Sequence, residues 1–188
     1  MIDPIFSKPI YIENIEYDKN LVLNEIKKIN FKKISSSDYM PTASSISESL
    51  NVLDNINFQN LKNKILTQFQ LYVYDTLKYN NYKFKIKNSW FTKTLLNEKS
   101  EIHNHRNSLF SGVLYIQTKP KKGSICFIDN SKSGYFLEPS ECNILNSEEW
   151  IINLSEGDII FFPSSLHHKL MINNTNIERI SLAMDFTI

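Results

Sequence analysis

The chain has 188 residues, of which 41% are hydrophobic and 22% are charged, as is usual for a globular protein that buries a core without cross-links. Its formal net charge of +1 disfavours a polyanionic partner, so we expect no nucleic-acid binding. The strongest local concentration of positive charge, Lys119, Lys121 and Lys122 around Pro120, is typical of an exposed hairpin turn.

The sequence predicts neither secretion nor a membrane. The first residues lack the basic and apolar regions of a signal peptide, and no stretch approaches the roughly 18 apolar residues of a membrane span. The two cysteines, Cys126 and Cys142, are too few for a disulfide framework. Cys126 lies in an apolar run and is expected in the core. We therefore expect a cytoplasmic protein that works in a reducing compartment.

Residues 1–82 are predicted to be mostly helical. Leu21, Leu23, Ile26 and Ile29 fall near one face of a first helix. A second helix is predicted from about Phe58 to Tyr79, with apolar positions at helical spacing: Leu61, Ile65, Phe69, Tyr72 and Leu77. The polar, serine-rich run at 35–49 between them is interpreted as a surface loop that could act as a lid.

From about residue 83 the pattern changes to short apolar runs separated by turn residues. The predicted strands are Lys83–Trp90, Leu109–Gln117, Ser124–Ile128, Trp150–Leu154, Asp158–Phe162, Lys169–Ile172 and Arg179–Ile188. Several short strands at this spacing indicate a sandwich or barrel. The sequence thus predicts a single, mainly β domain over 1–188, with the helices of 1–82 outside an antiparallel double sheet formed by 83–188.

All four histidines lie in two tight groups, at 103 and 105 and at 167 and 168. On a strand, residues two apart point to the same face, so His103 and His105 present two imidazoles side by side. Of the adjacent pair, His167 and His168, at most one should point inward. The pattern favours three metal ligands and open coordination positions, as catalytic metals have. The alternative is a set of exposed histidines.

Arg179 follows the second histidine group at the start of the last predicted strand, where it shares a face with Ser181. A buried guanidinium is costly without an anion, and its planar fork suits a carboxylate. A metal beside such an arginine suits a dicarboxylate co-substrate, chelated at its keto-acid end. The alternative is that Arg179 pairs with a nearby acid such as Glu178 or Asp185.

The chain resembles the Fe(II)/2-oxoglutarate oxygenases. It is most similar to a family of small proteins within that superfamily, common in marine bacteria and phages. The similar stretches are Ile5–Tyr11, an opening strand; Ser89–Phe91; His103–Ile116, which matches H-x-H-x-x-S-x-x-S-G-V-x-Y; and Gly157–Ser181, the closing motif. The resemblance implies a double-stranded β-helix (jelly-roll, cupin-like) core flanked by helices.

The resemblance also implies the site. Iron would be held by His103, His105 and His168, and 2-oxoglutarate by Arg179 with help from Ser181. Further candidate pocket residues are Trp90, Asn107, Ser111 and Tyr115. The implied reaction consumes O2, decarboxylates 2-oxoglutarate to succinate and hydroxylates a small-molecule or peptide or protein substrate. A homodimer is compatible with the sequence.

Two alternatives for the metal ligands remain open, and the first comes from a departure from the superfamily. Most members carry a carboxylate two residues after the first histidine, whereas this chain has His105. Three neutral ligands leave the site one unit more positive, so His105 could lie outside the coordination shell. His167 could likewise replace His168 as the distal ligand.

Two other functions fit the same pattern less well. A cupin-type dioxygenase also uses three histidines and needs no 2-oxoglutarate, but its first motif expects a glutamate where this chain has Asn107, Ser108 and Leu109. It also gives Arg179 no role. A non-catalytic jelly-roll binding protein is the third alternative, in which the histidines are structural.

Overall fold

The computed structural model describes residues 7–34, 43–129 and 138–188. Within them, ten strands form two antiparallel sheets. The large sheet has the order β1-β8-β5-β10-β4-β3-β2 and the small sheet the order β7-β6-β9. The strands are β1 Tyr11–Asn14, β2 Phe31–Lys33, β3 Ser45–Ser47, β4 Lys85–Thr94, β5 Phe110–Gln117, β6 Gly123–Ile128, β7 Glu149–Leu154, β8 Asp158–Pro163, β9 His167–Leu170 and β10 Arg179–Thr187.

The alternation of side chains along β10 explains how the large sheet separates two cores. Ile180, Leu182, Met184 and Phe186 pack into the core shared with the helices. Because successive residues of a strand face opposite ways, the intervening set, Arg179, Ser181, Ala183 and Asp185, faces the small sheet. The site described below is built on this inner face.

Two helices cover the outer face of the large sheet. In α1, Lys19–Ile26, the first turn is capped by Asp18, whose side chain accepts a hydrogen bond from the backbone N–H of Leu21 at 2.9 Å. In α2, Gln59–Gln70, the buried residues recur every four positions: Leu61, Ile65 and Phe69. The ring of Phe69 stacks on Phe186 with centroids 3.6 Å apart. A π-helical turn, Leu71–Thr76, continues α2, and two short 3-10 turns, Val52–Asp54 and Ile56–Phe58, precede it.

The second core lies between the sheets. Val113, Tyr115, Ile160 and Phe162 of the large sheet meet residues of the small sheet: Ile125, Phe127 and Leu170. Gly123 is needed here because a Cβ at this position would lie 2.5 Å from the ring of Tyr115. The predicted jelly-roll architecture, with helices on its outside, is therefore confirmed. The predicted core position of Cys126 is confirmed too, since the residue is fully buried.

The structure corrects the prediction for the first half of the chain. Besides the helices, this half supplies β1, β2 and β3, all of which join the large sheet. The expected opening strand at Ile5–Tyr11 is wrong for residues 7–10, which are not in a strand; only its last residue, Tyr11, belongs to β1. Residues 5 and 6 lie outside the described residues. Strands of three or four residues are too short to show a clear alternation of apolar and polar side chains.

The serine-rich run is only partly described, since residues 35–42 lie outside the described residues. From residue 43 onward it is not a free loop. Ser44 is fully buried and its hydroxyl lies 3.0 Å from that of Thr94, while Ser45 and Ile46 pair with β4. The interpretation of 43–49 as part of a lid is wrong, because this segment is tied into the sheet.

The lysine-rich segment forms the β5–β6 turn as predicted, closed by a hydrogen bond from the N–H of Lys122 to the carbonyl of Lys119 at 3.0 Å. In the part of the chain that the structure describes, no helix has the length and apolar character needed to cross a bilayer.

Candidate metal centre

Three imidazoles converge at one end of the space between the sheets. One ring nitrogen from each of His103, His105 and His168 lies within 4.8 Å of the other two. The ring centroids are 5.3 Å apart for His103 and His105, 4.4 Å for His103 and His168, and 5.1 Å for His105 and His168. Nitrogens at this spacing could bind one ion with small shifts of the rings.

The backbone around the histidines fixes their relative positions. His103 pairs with His168 of β9: each N–H donates to the other residue's carbonyl, at 3.0 Å and 2.9 Å. Two residues later, the N–H of His105 donates to the carbonyl of Ser164 at 3.1 Å. His103 thus forms an isolated β-bridge to β9, and the bond from His105 to Ser164 ties down the residues that follow it. These backbone bonds hold the two alternate histidines beside His168.

Hydrogen bonds also orient each ring. Nδ1 of His103 lies 2.8 Å from the carbonyl oxygen of Glu101, and Nδ1 of His168 lies 3.0 Å from that of Leu166. Nδ1 of His105 lies 2.5 Å from Oδ1 of Asp185. Because each partner is an oxygen acceptor, each Nδ1 carries the proton, and each Nε2 keeps its lone pair. Metal-binding histidines need this arrangement. The three residues therefore fit a divalent metal with nitrogen affinity.

Aromatic rings pack against two of the three histidines, His105 and His168. Phe162 contacts His168 edge-on at 4.8 Å between centroids, and Trp90 stacks on His105 at 5.6 Å. His168 is only 2% exposed. This burial, with smaller contributions from the neighbouring imidazoles, lowers the pKa of His168 to about 3. The ring is therefore neutral and available as a ligand at any physiological pH.

The lowered pKa of His168 predicts acid sensitivity of the metal-free protein. As pH falls through about 6.5, the unfolded chain takes up a proton on this residue, but the folded chain does not until about pH 3. The unfolded state then binds more protons, so stability falls with pH. Between pH 7.5 and 5.0 we expect His168 to account for a loss of roughly 2 kcal/mol in unfolding free energy.

Urea unfolding at both pH values, with a chelator present, measures this loss. His168→Gln is the matched control, since it keeps a polar side chain that does not titrate. The difference between the two pH values should be smaller in the variant by roughly 2 kcal/mol. An equal difference in both proteins would contradict the prediction.

His167 lies outside the group of three. It is half-buried on β9, and its Nε2 is 3.5 Å from the side-chain nitrogen of Asn104. Its neighbour His168 faces the other two histidines. Of the two alternatives for the distal position, the geometry brings His168 and not His167 together with the pair.

Arg179 is buried on the inner face of the large sheet with most of its hydrogen-bonding capacity unused. It is 1% exposed, and its Nη2 donates to the carbonyl of Met171 at 2.9 Å. Nε and Nη1 have no hydrogen-bond partner among the described residues. Within the same part of the chain, neither Glu178 nor Asp185 forms a salt bridge with it, and Asp185 pairs with His105 instead.

Two predicted pocket residues lie near Arg179: Ser181 is two positions further along β10, and Tyr115 is on the neighbouring strand β5. Ser181 is 2% exposed and stands opposite Tyr115 in the β10–β5 register. The Tyr115 hydroxyl is buried and has no partner among the described residues. Burial raises the pKa of Tyr115 to about 12, although the charge of Arg179 opposes this. The two donors, guanidinium and phenol, are what an anionic carboxylate would satisfy.

The structure places the other two candidates elsewhere. The Ser111 hydroxyl donates to Asp185 at 2.8 Å and lies 2.7 Å from that of Ser164, so it belongs to the surroundings of His105. Asn107 is exposed in a turn with φ of 61°, and its carbonyl accepts from Lys87 Nζ at 2.7 Å. Its described contacts are those of a turn residue.

Sequence reasoning missed the role of Asp185, which entered only as an alternative partner of Arg179. The sequence did contain a signal, because positions 179, 181, 183 and 185 are two residues apart and therefore share one face of β10. What the sequence did not reveal was the register that sets Asp185 opposite Ser111 and within reach of His105.

Comparison with known proteins supports this arrangement. A family model described as "Putative 2OG-Fe(II) oxygenase" matches residues 88–185, just over half of the chain. This range includes the three converging histidines, Arg179 and Asp185. A search of curated proteins gave no match.

Solved structures of the same fold share little sequence with this chain. A prolyl-4-hydroxylase from Pseudomonas putida superimposes with a TM-score of 0.63 at 14% identity, covering 97% of this chain and 94% of that one. HygX from Streptomyces hygroscopicus, solved with nickel and 2-oxoglutarate, gives 0.64 at 11%, covering 95% and 82%. The epimerase SnoN from nogalamycin biosynthesis gives 0.66 at 12%, covering 96% and 76%.

These structures share the fold and differ in the reaction that their names state, which includes hydroxylation and epimerisation. The fold therefore identifies no single outcome. The family match is independent of it and covers the residues that converge in the structure. The chain belongs to the 2OG-Fe(II) oxygenase family, whose members depend on Fe(II) and 2-oxoglutarate.

Proposed function

We propose that this protein is an Fe(II)- and 2-oxoglutarate-dependent hydroxylase. In this proposal His103, His105 and His168 bind the iron through Nε2, and Arg179 binds the distal carboxylate of 2-oxoglutarate. Bound iron with 2-oxoglutarate and O2 would supply the oxidising chemistry, with succinate and CO2 as co-products. The substrate would be a small molecule or a peptide or protein side chain.

The observation that carries the proposal is the unused capacity of Arg179. A buried guanidinium costs free energy when two of its nitrogen donors, Nε and Nη1, have no partner among the described residues. A bidentate carboxylate would satisfy both. A three-histidine dioxygenase without 2-oxoglutarate would have no use for this cation, so Arg179 favours the 2-oxoglutarate-dependent reaction over that alternative.

The protein's own groups would bind and orient the reactants. Three protein ligands leave room for further ligands on an ion that accepts more than three. The Nδ1 hydrogen bonds keep the rings from rotating when the ion leaves or enters. Phe162 and Trp90, which pack against the imidazoles, would limit the access of water.

We also propose that the protein works in the cytoplasm. Cys126 is buried and Cys142 exposed, and both are free thiols. An exposed thiol and a ferrous ion are both favoured by a reducing compartment.

Anaerobic absorption spectroscopy tests the function directly. Fe(II) is added to the metal-free protein, followed by 2-oxoglutarate, and a visible charge-transfer band is expected only when both are present. The band reports chelation of the keto acid, and succinate, which has no keto group, serves as the control. Iron binding without the band would favour a three-histidine dioxygenase that uses no 2-oxoglutarate. No iron binding would leave a non-catalytic jelly-roll protein.

A further inference from the structure

Asp185 is a buried carboxylate whose only salt bridge in the described part of the chain is with His105. Both side chains are 8% exposed, and 2.5 Å separates Asp185 Oδ1 from His105 Nδ1. A carboxylate this buried is costly unless a positive charge compensates it. None of the described lysines or arginines lies within salt-bridge distance of it. A metal ion bound on the other side of the His105 ring would supply the compensating positive charge.

The surroundings of Asp185 hold it in place. The Ser111 hydroxyl donates to Oδ1 at 2.8 Å, and the Ser164 hydroxyl lies 2.7 Å from that of Ser111. Ser164 also accepts the backbone N–H of His105 through its carbonyl. Ser111 and Ser164 are both fully buried. The carboxylate, the two hydroxyls and the imidazole therefore form one connected network, which fixes the orientation of the His105 ring.

This network lies behind His105, the ligand position that differs from the usual iron site. The usual iron site of this kind has two histidines and one carboxylate, and the ligand carboxylate offsets one charge of the ion. In this chain the corresponding ligand position holds the neutral His105. A carboxylate on the far side of an imidazole makes the ring a stronger electron donor and offsets part of the ion's charge.

We propose that Asp185 is a positioning residue that supplies, through His105, the negative charge that a directly bound carboxylate supplies elsewhere. Iron would then be held by two histidines and a histidine–aspartate pair, and His105 would be a true ligand because Asp185 stands behind it. This inference rests on the proposed function, since it assumes that the three histidines bind a divalent metal.

The test measures metal affinity, with Co(II) as an oxygen-stable probe whose visible spectrum reports its ligands. Asp185→Asn keeps the size of the side chain and removes the charge. We expect it to weaken Co(II) binding by about 10- to 100-fold. Glu98→Gln is the matched control, because Glu98 is also a buried acid but pairs with Lys33. It should leave Co(II) affinity unchanged even if it lowers stability.

A double-mutant cycle separates charge from structure. His105→Asp moves the carboxylate into the ligand position, where Asp185 becomes a like charge nearby. In that background we expect Asp185→Asn to cause no loss of Co(II) affinity, so the two substitutions should not be additive. Circular dichroism of each metal-free variant checks that it is folded.

The outcomes distinguish this inference from the proposed function. If the wild-type protein binds no Co(II) and no Fe(II), the proposed function fails. If the wild type binds Co(II) and Asp185→Asn binds it equally well, only the role of Asp185 fails. If Asp185→Asn weakens binding equally in the wild-type and His105→Asp backgrounds, Asp185 supports the fold rather than the charge of the site, and the inference is again wrong.

Discussion

Replacing His168 with alanine is expected to weaken Fe(II) binding by more than about 100-fold, since loss of a hydrogen-bond partner behind a ligand alone costs about 10- to 100-fold. His168 is 2% exposed and faces the other two imidazoles. Its removal leaves two ligands, and the fourth histidine, His167, lies outside the group. Anaerobic calorimetry of Fe(II) binding to the metal-free protein measures the effect.

His167→Ala is the matched control, because the two residues are neighbours on β9 and differ in the face they occupy. We expect this variant to bind Fe(II) within a few-fold of the wild type. Equal losses in both variants would point to damage of β9 as a whole. A loss of Fe(II) affinity in His167→Ala alone would mean that His167, and not His168, is the distal ligand.

The jelly-roll core was predictable because its long strands carry their signal locally. Seven of the eight residues of β5 and the four central residues of β8 are buried, so each strand appears in the sequence as a short apolar run. The helix α2 was predictable for a similar reason, since Leu61, Ile65 and Phe69 recur with helical spacing and pack on the sheet. In these elements the sequence pattern and the packing agree.

The strands β1, β2 and β3 could not be predicted in this way. They have only three or four residues each, and most of their side chains are half-buried or exposed. Their strand geometry comes from pairing with distant partners, as in Tyr11 opposite Phe161. Local propensity contributes little to such short strands, and the pairing is a property of the tertiary structure.

The residues of the candidate site likewise fall into those that the sequence could identify and those that it could not. The histidines and Arg179 could be selected because their residue types are costly or rare in a core and therefore call for a reason. Ser111 was selected too, but with the wrong surroundings. Its contact with Asp185 joins residues 74 positions apart in the chain, and only the register of β5 against β10 brings them together.

Replacing Arg179 with methionine is expected to weaken 2-oxoglutarate binding by about 30-fold or more, because truncating one partner of a buried charge pair costs about 2–5 kcal/mol. Fe(II) binding should persist, because the described hydrogen bonds of the three histidine rings go to Glu101, Asp185 and Leu166 and not to Arg179. Titration of 2-oxoglutarate into the anaerobic Fe(II) protein, followed by the charge-transfer band, measures the change. Arg106→Met, at the only other arginine of the chain, is the control and should leave the affinity for 2-oxoglutarate unchanged.

The same variant should be more stable than the wild type when 2-oxoglutarate is absent. Burial lowers the pKa of Arg179, a sign that its charge is poorly compensated in the ligand-free protein. Replacing poorly compensated buried charges with apolar side chains of similar volume often stabilises by about 1–4 kcal/mol. Adding 2-oxoglutarate should then raise the melting temperature of the wild type and not that of Arg179→Met. A variant that is less stable and still gains from 2-oxoglutarate would mean that Arg179 is a structural cation and that the co-substrate is anchored elsewhere.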